Sequence, residues 1–169
     1  MHRCCPTDTD ANIQDMPIHP LTVSLDYFEL PNSATFQGGN ISPAISLTGL
    51  EPGTVSIAVM VFNPFIKTCC SFTPWIIWNI APLNRIPAGI PSGQIISFPI
   101  SAVQGLNDYG ETGYHGPEPS LGEMHRYQFR IYALDSMLTI PGGSSKDELI
   151  SAMKGHVLQY GETVAISTG

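Results

Sequence analysis

Charge is what this chain has least of. Asp, Glu, Lys and Arg together make up 12% of its 169 residues, about half of the ~25% usual for soluble domains. Lys and Arg number 7 against 14 Asp and Glu, a formal net charge of −7. The few cations are scattered, so no basic stripe exists to neutralise phosphates, which argues against nucleic acid or an anionic bilayer as partner. Any anion it binds has to be held by a local nest of donors against the field of the whole molecule. Long apolar runs are also missing. None approaches the roughly 18–20 residues of a membrane-spanning helix. Met1 to Pro20 has no apolar h-region, so no export signal is expected and the cytoplasm is the expected compartment.

Catalytic and metal-binding signatures are absent as well. There is no G-x-S-x-G elbow, no H-E-x-x-H and no C-x-x-C. Gly142-Gly143-Ser144-Ser145-Lys146 has the composition of a phosphate-binding loop but not its spacing. Asp135 and His125 sit ten residues apart on one strand, too far to touch at about 3.3 Å per residue. No enzyme, metal or cofactor is therefore expected. The four cysteines form two adjacent pairs, Cys4-Cys5 and Cys69-Cys70. Without an export signal they read as reduced thiols, with a disulfide between the pairs as the alternative.

What the chain does have is turn formers, 16 Gly and 15 Pro. Residues 1–20 read as an irregular lead-in and residues 21–169 as one domain. Leu21–Leu30 reads as one strand or two, Ile45–Leu47 as a short one, and Glu51-Pro52-Gly53-Thr54 as a turn. Val55–Phe62 and Trp75–Ile80 are apolar on both faces, as strands covered on both sides are, or as a strand with an exposed contact patch. Prolines and glycines from Pro82 to Gly93 argue against regular structure there. His125–Leu134 alternates, with Tyr127, Phe129, Ile131 and Ala133 on one face and Arg126, Gln128, Arg130 and Tyr132 on the other. His125 shares the apolar face. Ser145 with Glu148 makes a capping box, Leu149, Ile150 and Met153 a stripe, and Gly155 a helix stop. His156–Ile166 reads as the last strand. The sum is a mainly-β domain, a sandwich with one or two peripheral helices.

Three segments carry a resemblance. They are Gly39-Asn40-Ile41-Ser42-Pro43, then Asn107-Asp108-Tyr109-Gly110 running through Gly113-Tyr114-His115-Gly116-Pro117 to His125-Arg126-Tyr127 and Tyr132-Ala133-Leu134-Asp135, then Ala152-Met153-Lys154-Gly155-His156-Val157-Leu158. In order and spacing, from about Leu30 to Leu158, the chain resembles the phosphatidylethanolamine-binding protein family in its bacterial and archaeal Raf-kinase-inhibitor-like branch. The resemblance implies a Greek-key β-sandwich of two antiparallel sheets. It also implies a small pocket at one end for phosphate-like anions, including phospholipid headgroups. Some members of the family inhibit kinases or proteases, and bacterial members are often dimers.

Carried over residue by residue, the resemblance places His125 and Tyr127 in the pocket, with Gly113, Tyr114, Gly116 and Pro117 as its loop. Asn63 stands where the family has its first aspartate, Phe65 where it has the second acid, and Pro74 where it has a second histidine. The expected ligand-binding set is thus Asn63, Pro74, Tyr114, Gly116, Pro117, His125 and Tyr127, with one histidine of two and neither acid. Weaker phosphate binding or a more apolar ligand follows. The alternative is a protein-interaction module that has lost small-anion binding. His115 reads as an exposed loop histidine, or else as a rim donor replacing the lost one.

Overall fold

Periodicity sorts the side chains into two layers of core, and the strands follow from it. The computed structural model describes residues 19–67 and 71–169. Both cysteine pairs lie outside them, as do residues 1–18. The strands are β1 (His19–Pro20), β2 (Thr22–Leu25), β3 (Ile45–Thr48), β4 (Ser56–Phe62), β5 (Trp75–Ile80), β6 (Arg85–Ile86), β7 (Ile95–Ile96), β8 (Ala102–Gln104), β9 (Met124–Leu134) and β10 (Val157–Thr168). One helix, α1 (Lys146–Met153), stands among the described residues, and Asn32–Ala34 forms a 3-10 turn.

The larger sheet has the order β1-β10-β9-β4-β5-β8-β7 and the smaller one β2-β3-β6. Pairing is antiparallel except at one edge, where β1 runs parallel to β10. β9 lies beside β4 although four strands separate them in sequence, a Greek-key arrangement. Four short strands lie outside the sequence expectation. β1 takes His19 and Pro20 out of the expected irregular lead-in, β6 interrupts the proline-rich stretch, and β7 with β8 extends the sheet edge.

Between the sheets lie Val23, Leu47, Val59, Val61, Trp75, Ile77, Phe129 and Ile131. Behind the larger sheet, Met60, Ile76, Trp78 and Tyr132 pack against Leu149, Ile150 and Met153 of α1. Every side chain of β4 is buried, as its unbroken apolar text requires. β5 is buried at every position but the half-buried Asn79, so Trp75–Ile80 is a strand covered on both sides. The helix starts on the full Ser145–Glu148 capping box, and Gly155 takes a left-handed φ of 83° beyond Lys154. No helix among the described residues is long and apolar enough to cross a membrane.

Asn79, the penultimate residue of β5, lies in the left-handed region at φ 58°. Its amide donates to the Leu138 carbonyl at 2.9 Å and its Oδ1 accepts from Leu138 N–H at 2.8 Å. Asn79→Ala removes both bonds and replaces a residue that tolerates the left-handed region by one that does not, so it should cost about 2–3 kcal/mol in a urea melt.

Register places the chemistry. Val61 faces Phe129 and Phe62 faces Gln128 across β4 and β9, and Val61 faces Trp75 across β4 and β5. The end of β4 and the starts of β5 and β9 therefore meet at one end of the sandwich, bringing Asn63, Pro74 and His125 together. The 107–117 loop and the turn after Asn32 close over them.

Candidate functional site

All seven residues expected at the site are buried, and they gather in this one corner. Asn63 is held first by its backbone, whose N–H donates to the Phe72 carbonyl at 2.9 Å. Its Oδ1 accepts from Phe65 N–H at 3.1 Å, a local Asx turn. Its Nδ2 then lies 3.2 Å from His125 Nδ1. The other ring nitrogen of His125, Nε2, lies 3.2 Å from Glu123 Oε1. Phe65 stacks on the ring with centroids 4.2 Å apart. His125 is thus engaged at both nitrogens and covered on one face.

The loop residues are equally committed. Tyr114 donates its hydroxyl to the Ala34 carbonyl at 2.8 Å and Tyr127 donates to the His115 carbonyl at 2.6 Å. Gly116 N–H donates to Asn40 Oδ1 at 2.7 Å, while Asn40 Nδ2 donates to the Tyr114 carbonyl at 2.9 Å. Asn40 sits at φ 58°, so its side chain mimics a strand partner for the 114–116 loop. The Pro117 carbonyl accepts from Phe36 N–H at 3.2 Å, and the Pro74 carbonyl accepts from His115 N–H at 3.2 Å. Pro74 therefore contributes a backbone acceptor where a histidine would contribute a ring.

His115 overturns its reading as an exposed loop histidine, for it is 5% exposed. Tyr109 stacks on it at 3.5 Å and Phe36 at 4.1 Å, each nearly parallel to the ring. Glu111 Oε1 lies 3.0 Å from Nδ1 and Glu118 Oε1 lies 2.8 Å from Nε2. A carboxylate only accepts, so both contacts are hydrogen bonds at once only when both ring nitrogens carry protons. The ring ties three loop segments together rather than pointing a donor at solvent. Nearby, Asp108 Oδ2 accepts from Thr73 N–H at 2.7 Å and from Lys146 Nζ at 3.2 Å, which pins the same loop to the start of α1.

The electrostatics run against an anion. Glu111, Glu118 and Glu123 stand around the two histidines. The Glu123 carboxyl is held below its usual range chiefly by the Ser120 N–H, which outweighs desolvation, with His125 adding smaller lowering contributions. Burial pushes the Tyr114 and Tyr127 hydroxyls well above the usual phenol range, and burial with Glu118 and Glu111 raises Tyr109. Glu111 and Glu118 approach opposite sides of one ring and do not converge. Among the described residues no group of three His, Cys, Asp or Glu could hold a metal ion.

Open volume lies beside this corner. A cleft of about 640 Å³ separates the Asn32–Gly38 turn from Pro117–Leu121, with Thr168 also lining it. Among the described residues on its walls, Glu118 carries the one charge, and Leu121 at its rim is 95% exposed.

The residues that sequence reasoning missed are Glu111, Glu118, Glu123 and Phe36, and Tyr109 stands in a motif segment without an expected role. Their spacing around His115 and His125 falls in loops, where sequence separation carries no direction in space. Asn40 did carry a signal, since it belongs to a segment with a recognisable pattern.

Comparison with known proteins agrees with this architecture. A sequence model described as phosphatidylethanolamine-binding protein matches residues 24–167. A UPF0098 protein of Pyrococcus horikoshii is 42% identical over 138 residues, 81% of this chain and 69% of that one. The crystal structure of YbcL of Escherichia coli, described as a new member of the mammalian PEBP family, superposes with a TM-score of 0.77 at 26% identity, covering 89% of this chain and 99% of that one. A PEBP homologue from Chlamydia trachomatis gives 0.75 at 29% identity over 87% and 96%.

Proposed function

The chain belongs to the phosphatidylethanolamine-binding protein family, and from that membership we propose a non-enzymatic binding role directed at a protein partner, with the small-anion corner closed. One observation carries the reading. Both ring nitrogens of His125 are engaged inside the chain, and Phe65 lies over its face. A phosphate reaching that ring would have to displace Phe65 from its face and overcome the repulsion of the Glu123 carboxylate beside Nε2. The gain from a charge-assisted hydrogen bond does not offset that repulsion in a partly buried site. Catalysis is not part of the proposal, because among the described residues no nucleophile stands against a base in this corner.

The neighbouring cleft supports a protein partner. The Glu118 carboxylate on its wall and the net charge of −7 favour a partner segment carrying a basic side chain. Leu121 supplies an exposed apolar contact at its rim.

Thermal unfolding tests the closed corner. Millimolar phosphate, O-phosphoethanolamine and acetate should leave the midpoint unmoved in the wild type and in His125→Ala, since a ligand raises stability only by binding the native state. A dose-dependent rise that disappears in His125→Ala would restore the anion-binding reading. On a peptide array the protein should select basic segments and lose them on Leu121→Asp. Binding indifferent to that change removes the cleft from the proposal.

A further inference from the structure

The Asn63–His125 contact has a direction, and the direction can be assigned. A side-chain amide offers an acceptor at one end and donors at the other. Phe65 N–H donates to Asn63 Oδ1 at 3.1 Å, which fixes the acceptor end away from the imidazole. The end facing His125 Nδ1 at 3.2 Å is therefore the NH2 group, a donor. A donor meets an acceptor only if Nδ1 carries a lone pair and no proton. The one ring proton then sits on Nε2, where Glu123 Oε1 accepts it at 3.2 Å. The chain Phe65 N–H to Asn63 to His125 to Glu123 is consistent in every donor and acceptor with this tautomer alone. The doubly protonated ring would set Nδ1–H against the Asn63 N–H bonds. The other tautomer would do the same and would also leave the Nε2 lone pair against a carboxylate.

We propose that Asn63 is a positioning residue that holds His125 in the Nε2–H tautomer, and that position 63 thereby decides whether this corner accepts an anion. The proposal deepens the closed-corner reading above and rests on it. With an amide at position 63, the ring cannot become the cation that a phosphate oxygen would seek without breaking the Asn63 bond. Its only proton is already given to Glu123. A carboxylate at position 63 can only accept, so Asn63→Asp invites a proton onto Nδ1 and permits the imidazolium. His125 lies on β9 and Asn63 at the end of β4, both buried, so the pairing is a property of the register and not of a mobile surface side chain.

Long-range 15N–1H spectra of the histidine rings at neutral pH read the tautomer directly. In the wild type, His125 Nδ1 should resonate as an unprotonated nitrogen and Nε2 as a protonated one. In Asn63→Asp, Nδ1 should move to the protonated range, and millimolar inorganic phosphate should raise the unfolding midpoint of the variant in a dose-dependent way that the wild type does not show. A protonated Nδ1 in the wild type overturns the tautomer assignment, and that spectrum decides the matter alone if the variant fails to fold. An Asn63→Asp variant that leaves both nitrogens unchanged overturns the role of Asn63. A variant with the altered ring signature that still ignores phosphate overturns position 63 as the determinant of anion acceptance. Phosphate stabilising the wild type overturns the closed-corner reading instead, whichever tautomer the spectrum reports.

Discussion

Above pH 10 the protein should lose stability steeply, and Tyr114→Phe should remove about half of the slope that the buried pair Tyr114 and Tyr127 supplies. The cause is a difference in proton binding between folded and unfolded chains. Unfolded tyrosines ionise near pH 10. In the fold, burial pushes Tyr114 well above that value, and burial together with Tyr114, Tyr109 and Glu118 does the same to Tyr127. Each hydroxyl also donates inward, to the Ala34 and His115 carbonyls, and a phenolate could not. Below pH 10 both states hold both protons, so the tyrosines add no pH dependence. Above it the unfolded chain binds fewer protons than the folded one, and stability falls as pH rises. The slope is about 1.4 kcal/mol per pH unit for each tyrosine, hence about 3 kcal/mol per unit for the pair. Because the unfolded tyrosines are only half ionised at pH 10, the loss between pH 10 and 11.5 amounts to about 3 kcal/mol, a large part of the 5–15 kcal/mol typical of a domain. Tyr114→Phe should cost about 1 kcal/mol at neutral pH through the lost bond to Ala34, yet narrow the gap to the wild type as pH climbs. Urea melts in steps from pH 9 to 11.5 provide the slopes. Equal slopes in the two proteins would mean that Tyr114 ionises freely in the native state and that this corner is wet.

Much of the fold was legible because burial writes a periodic text. β4 and the body of β5 are apolar at consecutive positions, and a strand packed on both faces needs nothing else. β9 alternates because each of its faces meets a different layer. α1 announces itself through Ser145, Glu148 and Gly155, each of which has a mechanism at its own position. Strands of two or three residues such as β6, β7 and β8 leave no period to read. They exist because neighbouring strands offer unpaired backbone groups, which is tertiary information. The site divides along the same line. Asn63, Pro74 and His125 could be placed by resemblance to a motif order. The closure of the corner could not, since it depends on Phe65 folding back over His125 and on Glu111 and Glu118 reaching His115 from two sides of a loop. The misreading of His115 has the same origin. A histidine between Tyr114 and Gly116 has no apolar period around it, and its burial comes from Tyr109 and Phe36, which the loops deliver.

The closed corner also has a mechanical requirement, and Gly116→Ala should expose it at a cost of about 3–5 kcal/mol. A Cβ at Gly116 would lie 2.2 Å from the Ala34 carbonyl oxygen, 2.8 Å from Phe36 N and 2.8 Å from Thr35 C. These are backbone atoms, with no flexible side-chain end that could swing aside. The segment around the 3-10 turn would have to move, and its contacts are the ones that hold the corner. Ala34 accepts from Tyr114, Phe36 donates to Pro117, and Phe36 stacks on His115. Moving that segment also loosens the wall of the neighbouring cleft. Gly110 provides the control. It has a left-handed φ of 82° but nothing within 4 Å of a built Cβ, so Gly110→Ala should cost only about 1–2 kcal/mol, from backbone strain alone. The contrast separates space from conformational freedom, since Gly116 is not among the glycines at positive φ. Chemical denaturation of the two variants gives the energies, and the ring-current shifts of His115 report whether Phe36 still covers it. A Gly116→Ala protein that loses less than about 1 kcal/mol and keeps those shifts would show that the two loops slide past each other at little cost. The corner would then be closed only on average, and phosphate could reach His125 by displacing a loop without disturbing the sandwich.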